Sequence, residues 1–225
     1  MRATITIDKD TVNSEEEALS FINKYGFVTL FPIRRIIFPN LYQATVGNRE
    51  EKFDNAWKWA DDLAMKKLIH YGKLVRKQVT LVSLEFFPYL YRLCREKTLS
   101  TTAQKILDFI KAHGSASTTV LRKSLDLTGK EKKYVFTKAM DELQMAFTLA
   151  IAGREKPPRM THIYDLIERW MPQSPFEKAN AISEKDAKDR VIAKLLENKL
   201  TSTWKEAQIF LGDLQNQNYL RGVQE

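Results

Sequence analysis

A chain of 225 residues with 44% hydrophobic and 28% charged side chains has the apolar content of a folded protein, which excludes a disordered charged tail. No run approaches the ~18 consecutive apolar residues of a membrane span. The single cysteine, Cys94, excludes an internal disulfide and suits a reducing cytoplasm. Three histidines (His70, His113 and His162) lie too far apart in sequence to predict a metal site, and no cofactor is expected. The opening MRATITIDKD has no apolar h-region, so no signal peptide is expected.

The net charge of +8 is unevenly spread. Residues 1–60 hold eight basic and eight acidic side chains, and residues 61–104 hold eight and four. Residues 105–160 hold eleven and six, and residues 161–225 hold nine and ten. The positive excess lies in the middle of the chain, as a surface that meets a polyanion requires. A solvated lysine-rich face fits the same count.

In chain order, SEEEALSFINKYG predicts a helix with Ser14 as N-cap, a capping box to Glu17 and Gly26 as its stop. An apolar loop, YGFVTLFPI, follows. The segment NAWKWADDLAMKKLIHYGKLVRKQ is expected to be irregular at first and helical from about Asp61. Its basic residues Lys66, Lys67, Lys73, Arg76 and Lys77 fall on no single stripe. VSLEFFPYLYRLCREK is expected to be helical after Pro88. No internal repeat is apparent.

Residues 100–165 carry the clearest pattern. STTAQKILDFIKAHG predicts a helix capped by Ser100 and ended by Gly114, and STTVLRKSLDL a second helix capped by Ser117. TGKEKKYVFTKAMDELQ predicts a third, with a Thr128–Glu131 capping box and a buried stripe of Phe136, Met140 and Leu143. Two strand-like runs, AFTLAIAG and MTHIYDL, flank REKPPR. Three helices and a hairpin are the winged helix-turn-helix order. Lys130, Lys132, Lys133 and Lys138 mark the third helix, while Arg154, Lys156 and Arg159 mark the wing tip. Their cationic groups suit phosphates of double-stranded DNA, although winged helices also dock proteins.

The wing strand leads into Tyr164-Asp165-Leu166-x-Glu168-Arg169-x-x-Pro172. That run resembles the AlkZ/YcaQ-type winged-helix DNA glycosylases, as do ILDFIKAHGSASTTVLRK and EKDAKDRVIAKLLENKLTSTWKEAQIFLG. The shorter AlkZ-related subgroup, which also reads G-F-x-x-L-F-P, is the most similar. The resemblance covers most of residues 15–212. It implies a mainly α (α+β) fold, with a helical region over 1–99, a winged-helix domain over 100–172 and a partial second winged-helix unit over 173–225. In that remnant, Trp204 and Leu211 are expected to pack against the middle domain, with no room for a second wing and a β-barrel. The resemblance further implies a catalytic Gln-x-Gln or Gln-x-Asp in the loop after Gly26. Here those positions hold Thr29 and Phe31, which are expected at the mouth of a cleft with Phe31 turned into the core. A phenyl ring offers no acceptor, and a threonine hydroxyl is a poor base near neutral pH. The Gln-x-Gln of the tail, at Gln215 and Gln217, is read as coincidence.

Three functions fit these residues. One is a DNA-binding protein on a glycosylase-like scaffold without the family's base excision. Another is an active glycosylase that uses Asp54, Asp61 or Asp62. The third is a winged-helix regulatory or interaction protein. A cytoplasmic location, on the nucleoid if DNA is bound, is expected, with no membrane and no metal.

Overall fold

Ser14 accepts a hydrogen bond from the Glu17 amide at 3.2 Å and starts α1 (Glu15–Tyr25). Gly26, at φ 78°, ends it in a conformation that a side chain would strain. The expected box is shifted by one residue, because the Glu17 carboxylate accepts from the Asn13 amide. The computed structural model describes residues 10–34, 37–95, 98–155, 161–201, 203, 205–207 and 210. Lys156, Arg159, Trp204, Leu211, Gln215 and Gln217 lie outside the described residues. The described chain is mainly helical, an α+β protein with two small antiparallel sheets.

After α1 come β1 (Phe27–Thr29), α2 (Leu41–Ala44), α3 (Arg49–Met65), β2 (Ile69–Lys73) and β3 (Val79–Ser83), with β3 between β1 and β2. Next, α4 (Phe87–Cys94) has Pro88 in its first turn, as expected. Then follow α5 (Thr101–His113), β4 (Ala116–Ser117), α6 (Thr118–Ser124), α7 (Lys133–Met145), β5 (Leu149–Arg154) and β6 (His162–Leu166), with β6 between β4 and β5. The succession helix, strand, helix, helix, strand, strand, with its last strand central, therefore occurs twice. Short α8 (Ile167–Trp170) follows on β5 and β6, and α9 (Ser174–Ala181) and α10 (Glu184–Glu197) close against α4.

The structure corrects three expectations. The helix expected from Asp61 runs instead from Arg49 to Met65, and residues 69–83 are a hairpin. An Asn48–Glu51 capping box starts the helix early, and Lys67, at φ 60°, turns the chain out of it. Burial on both faces of β2 then favours a strand over the helix that local propensity suggests. As a result, the 149–166 hairpin is one of two comparable sheets and not the chief one. The third helix of the middle segment begins at Lys133 without a side-chain cap, so Lys130 and Lys132 precede it. Arg122 instead holds the turn, donating to the Leu127 and Gly129 carbonyls at 2.9 and 3.1 Å.

An internal repeat is also present. Asp61, Leu63 and Met65 at the end of α3 match Asp141, Leu143 and Met145 at the end of α7. Both helices stop through a residue of positive φ, Lys67 at 60° and Phe147 at 51°. The Leu68 and Thr148 amides donate back to the Leu63 and Leu143 carbonyls, each at 3.0 Å. The strands that follow finish Gly72-Lys73 and Gly153-Arg154. A register shift between Ile151 and Gly153 adds one residue to β5, which blurs the repeat in the bare sequence.

The two repeats cross. Helix α3 packs on β5, α7 packs on β2, and β2 lies along β5. Asp61 of α3 is paired to Arg154 of β5 at 2.6 Å, and Asp141 of α7 to Lys73 of β2 at 2.8 Å. The same acid of each repeat thus holds the last residue of the other's strand. One core cluster runs through both repeats, with Leu63, Tyr71, Leu81, Phe136, Leu143 and Tyr164 among its members. Phe136, Met140 and Leu143 are buried, as the stripe predicts. A second cluster joins α4, α9 and α10 around Phe87, Tyr91, Phe176 and Leu195.

The crossed pairs lie largely out of water, whereas Lys185–Asp189 on α10 is solvated. Double-mutant cycles should give about 1 kcal/mol or more of coupling for Asp141–Lys73 and for Asp61–Arg154, and about 0.3 kcal/mol for Lys185–Asp189. Equal, negligible couplings in urea denaturation would contradict a holding role.

Candidate nucleic-acid interface

Helix α7 presents Lys133, Tyr134, Thr137 and Lys138 to solvent, and Tyr134 is 76% exposed. Its two acids are both engaged, Asp141 buried and Glu142 half-buried. Asp141 holds Lys73, and the Glu142 carboxylate accepts from the Ser100 amide at 3.1 Å. No acid among the described residues is paired with Lys130, Lys133 or Lys138. The outward surface of α7 is therefore basic because one of its acids serves the crossing of the repeats and the other caps the start of α5.

Other basic residues are committed elsewhere. Lys132 reaches back to the Asp126 carboxylate and carbonyl at 2.7 and 2.8 Å. Arg154, expected at a wing tip, is the last residue of β5 and is held by Asp61. In the earlier basic run, Lys66 pairs with Glu15, Lys67 lies 4.5 Å over the Trp170 ring, and Lys73 belongs to Asp141. Arg76 and Lys77 form the β2–β3 turn at positive φ. The equivalent helix of the first repeat, α3, is unlike α7: its exposed residues include Glu50, Glu51 and Asp54 beside Arg49 and Lys58.

The loop after β1 separates Thr29 from Phe31. Thr29 is fully buried between the sheet and α2, and its hydroxyl donates to the Phe31 carbonyl at 2.8 Å. Pairing of β1 with β3 places it there, so Thr29 does not stand at a cleft mouth. Phe31 is half-buried and only partly turned into the core. It packs against Tyr42, Phe53 and Trp57 with ring centroids 5.4–5.7 Å apart, and it lines an open pocket with Arg49 and Asn48.

Of the three acids singled out from sequence, Asp54 is exposed and Asp62 half-exposed. Asp61 alone lies in a polar cluster, 2.6 Å from Arg154 and 3.8 Å from His162 Nε2. The Arg154 guanidinium also approaches that nitrogen at 3.3 Å. Behind them stands Tyr71, 2% exposed, whose hydroxyl has no partner among the described residues. Burial, then the Asp61 charge, hold its pKa well above the ordinary tyrosine value. The sequence reading missed Tyr71, His162, Phe53 and Trp57, although the spacing Phe53, Trp57, Asp61 puts all three on one face of a helix.

Tyr164-Asp165-Leu166-x-Glu168-Arg169 is a structural latch. The Asp165 carboxylate accepts from the Leu166 amide and from Arg169, and Arg169 also donates to the Ile110 carbonyl at 3.1 Å. Glu168 accepts from the Tyr91 hydroxyl at 2.6 Å. Burial, reinforced by that bond, pushes the Tyr91 pKa up to about 12. No cluster of metal-ligating side chains occurs among the described residues, and no helix among them is long and apolar enough to cross a membrane.

The family model described as AlkZ related matches residues 12–212, and the chain belongs to that family. No curated protein and no solved structure matches the chain.

His70 lies under the interface, fully buried between the Phe147 and Phe87 rings, with neither ring nitrogen hydrogen-bonded among the described residues. Burial lowers its pKa to about 3. An unfolded chain takes up this proton near pH 6.5, so between those values the unfolded state binds more protons and stability falls as pH falls. The loss from this group should be about 2 kcal/mol between pH 7 and pH 5. His70→Leu should flatten that part of the urea-derived stability profile. An unchanged slope would contradict the buried neutral imidazole.

Proposed function

We propose that this chain is a double-stranded-DNA-binding protein built on a glycosylase-like scaffold, without base excision by the family's paired polar side chains. The outward face of α7 carries this reading: Lys133, Tyr134, Thr137 and Lys138 are exposed while both acids of the helix are engaged by Lys73 and the Ser100 amide. The element order of each repeat, with the last strand central, supports reading both as winged helix-turn-helix units, in which α7 is the helix offered to DNA. Lysines there bind by releasing counterions from phosphates, with Tyr134 and Thr137 left to touch base edges. Membership of the AlkZ-related family supports the scaffold. Phe31 and the buried Thr29, at the family's catalytic positions, argue against excision by its route.

Excision through Asp61 is a second reading, favoured by its position beside His162 and Tyr71. Its carboxylate is already engaged by Arg154, which leaves it a poor choice for activating water.

Affinity for duplex DNA should fall linearly on a log–log plot against salt. Lys133→Ala with Lys138→Ala should reduce the slope by about 1.8 if each lysine neutralises one phosphate. The purified protein should release no alkylated base. An unchanged slope would contradict the α7 interface, and release that Asp61→Asn abolishes would favour the enzyme.

A further inference from the structure

Phe53, Trp57 and Asp61 stand at intervals of four along α3, so one helix face carries two rings and then a carboxylate. Phe31 stacks on Phe53 at 5.4 Å with an interplanar angle of 26°, and meets Trp57 edge-on at 5.7 Å. Arg154 lies 5.6 Å over the Trp57 ring, and the His162 ring is 6.4 Å from it. The rings form a continuous shelf from an open pocket, walled by Phe31, Tyr42 and Phe53, to Arg154 and His162 of the second repeat's hairpin.

Phe53 is 49% exposed, although α3 has core positions a phenylalanine could fill. The pocket rim carries Arg49 together with Glu50, a cation for a phosphate and an acceptor for an amino group. At the far end, Arg154 Nε and the Tyr71 hydroxyl are buried without partners among the described residues. An exposed Phe53 ring beside the half-buried Phe31 and Trp57, with Arg49 at the open end, matches the chemistry of a nucleic-acid strand. A duplex keeps its base faces stacked on one another and offers the rings nothing. An unpaired base offers a π-face to the rings, a polar edge to Glu50 and its phosphate to Arg49.

We propose that this shelf binds an unpaired nucleobase of single-stranded or gapped DNA. The base lies against Phe31 and Phe53, with the strand running along α3 toward Trp57 and Arg154. This site is separate from the α7 face and rests on the reading of the chain as a DNA-binding protein.

The test compares a short oligothymidylate with an abasic strand of equal length and with a duplex, using the full chain. Stacking of one base on aromatic side chains should make the oligothymidylate bind about tenfold more tightly than the abasic strand. Phe53→Ala should abolish that preference and leave duplex affinity unchanged. Because Phe53 is half-exposed, Phe53→Leu keeps the apolar contact without the ring, and it should lose the preference too. Lys133→Ala with Lys138→Ala should weaken duplex binding and spare the preference. Equal affinity for the two strands, with duplex binding intact, would overturn the shelf alone, whereas no binding to any of the three would overturn the DNA-binding reading itself. Self-association that Phe53→Ala abolishes, without a preference for bases, would show a second copy as the occupant and also overturn it.

Discussion

Two acid–base pairs, Asp61–Arg154 and Asp141–Lys73, decide how this chain is put together. Each joins the third helix of one repeat to the strand of the other, and each is largely shielded from water. Removing one partner of such a pair leaves a charge poorly solvated, so the geometry is enforced by the cost of breaking it. The hydrophobic cluster that runs through both repeats adds the bulk of the stabilisation. The pairs set which faces meet, since only the crossed arrangement brings each acid to a cation.

That arrangement also sorts the two third helices into different roles. In α7 the acids are engaged, by Lys73 and by the start of α5, and the lysines are left outside. In α3 one face carries the exposed Phe53 and the half-buried Trp57 and Asp61, while its exposed charged residues are mixed in sign. The repeats share a backbone plan, yet only one offers a basic face. The other offers aromatic rings beside Arg154 of its neighbour, which Asp61 holds. A duplication of architecture has thereby produced two different surfaces, in keeping with function residing in sites and not in folds.

Much of the middle segment was legible in the sequence. Ser100, Gly114 and Ser117 set helix ends by local hydrogen bonds and φ, and the stripe at Phe136, Met140 and Leu143 follows the helical period. Beyond α1, whose Ser14 cap and Gly26 stop were legible, the first repeat was not. Ile69-His70-Tyr71 is buried on both faces, so it shows no alternation, and a continuous apolar run reads equally as helix. The repeat itself was hidden by the extra residue at the β5 bulge and by the replacement of lysine with arginine at its end. Arg154 was counted as a phosphate ligand because charge pattern alone cannot tell a paired guanidinium from an open one. The missing partner, Asp61, lies in the other repeat, and only the crossing brings them together.

On the proposed reading, the crossing leaves α7, and not α3, as the basic face offered to duplex DNA. Lysine acylation footprinting with and without duplex DNA tests it most directly. Duplex DNA should shield Lys133 and Lys138 and leave Lys58 of α3 as reactive as in the free protein. Shielding of Lys58 with Lys133 and Lys138 still reactive would contradict it.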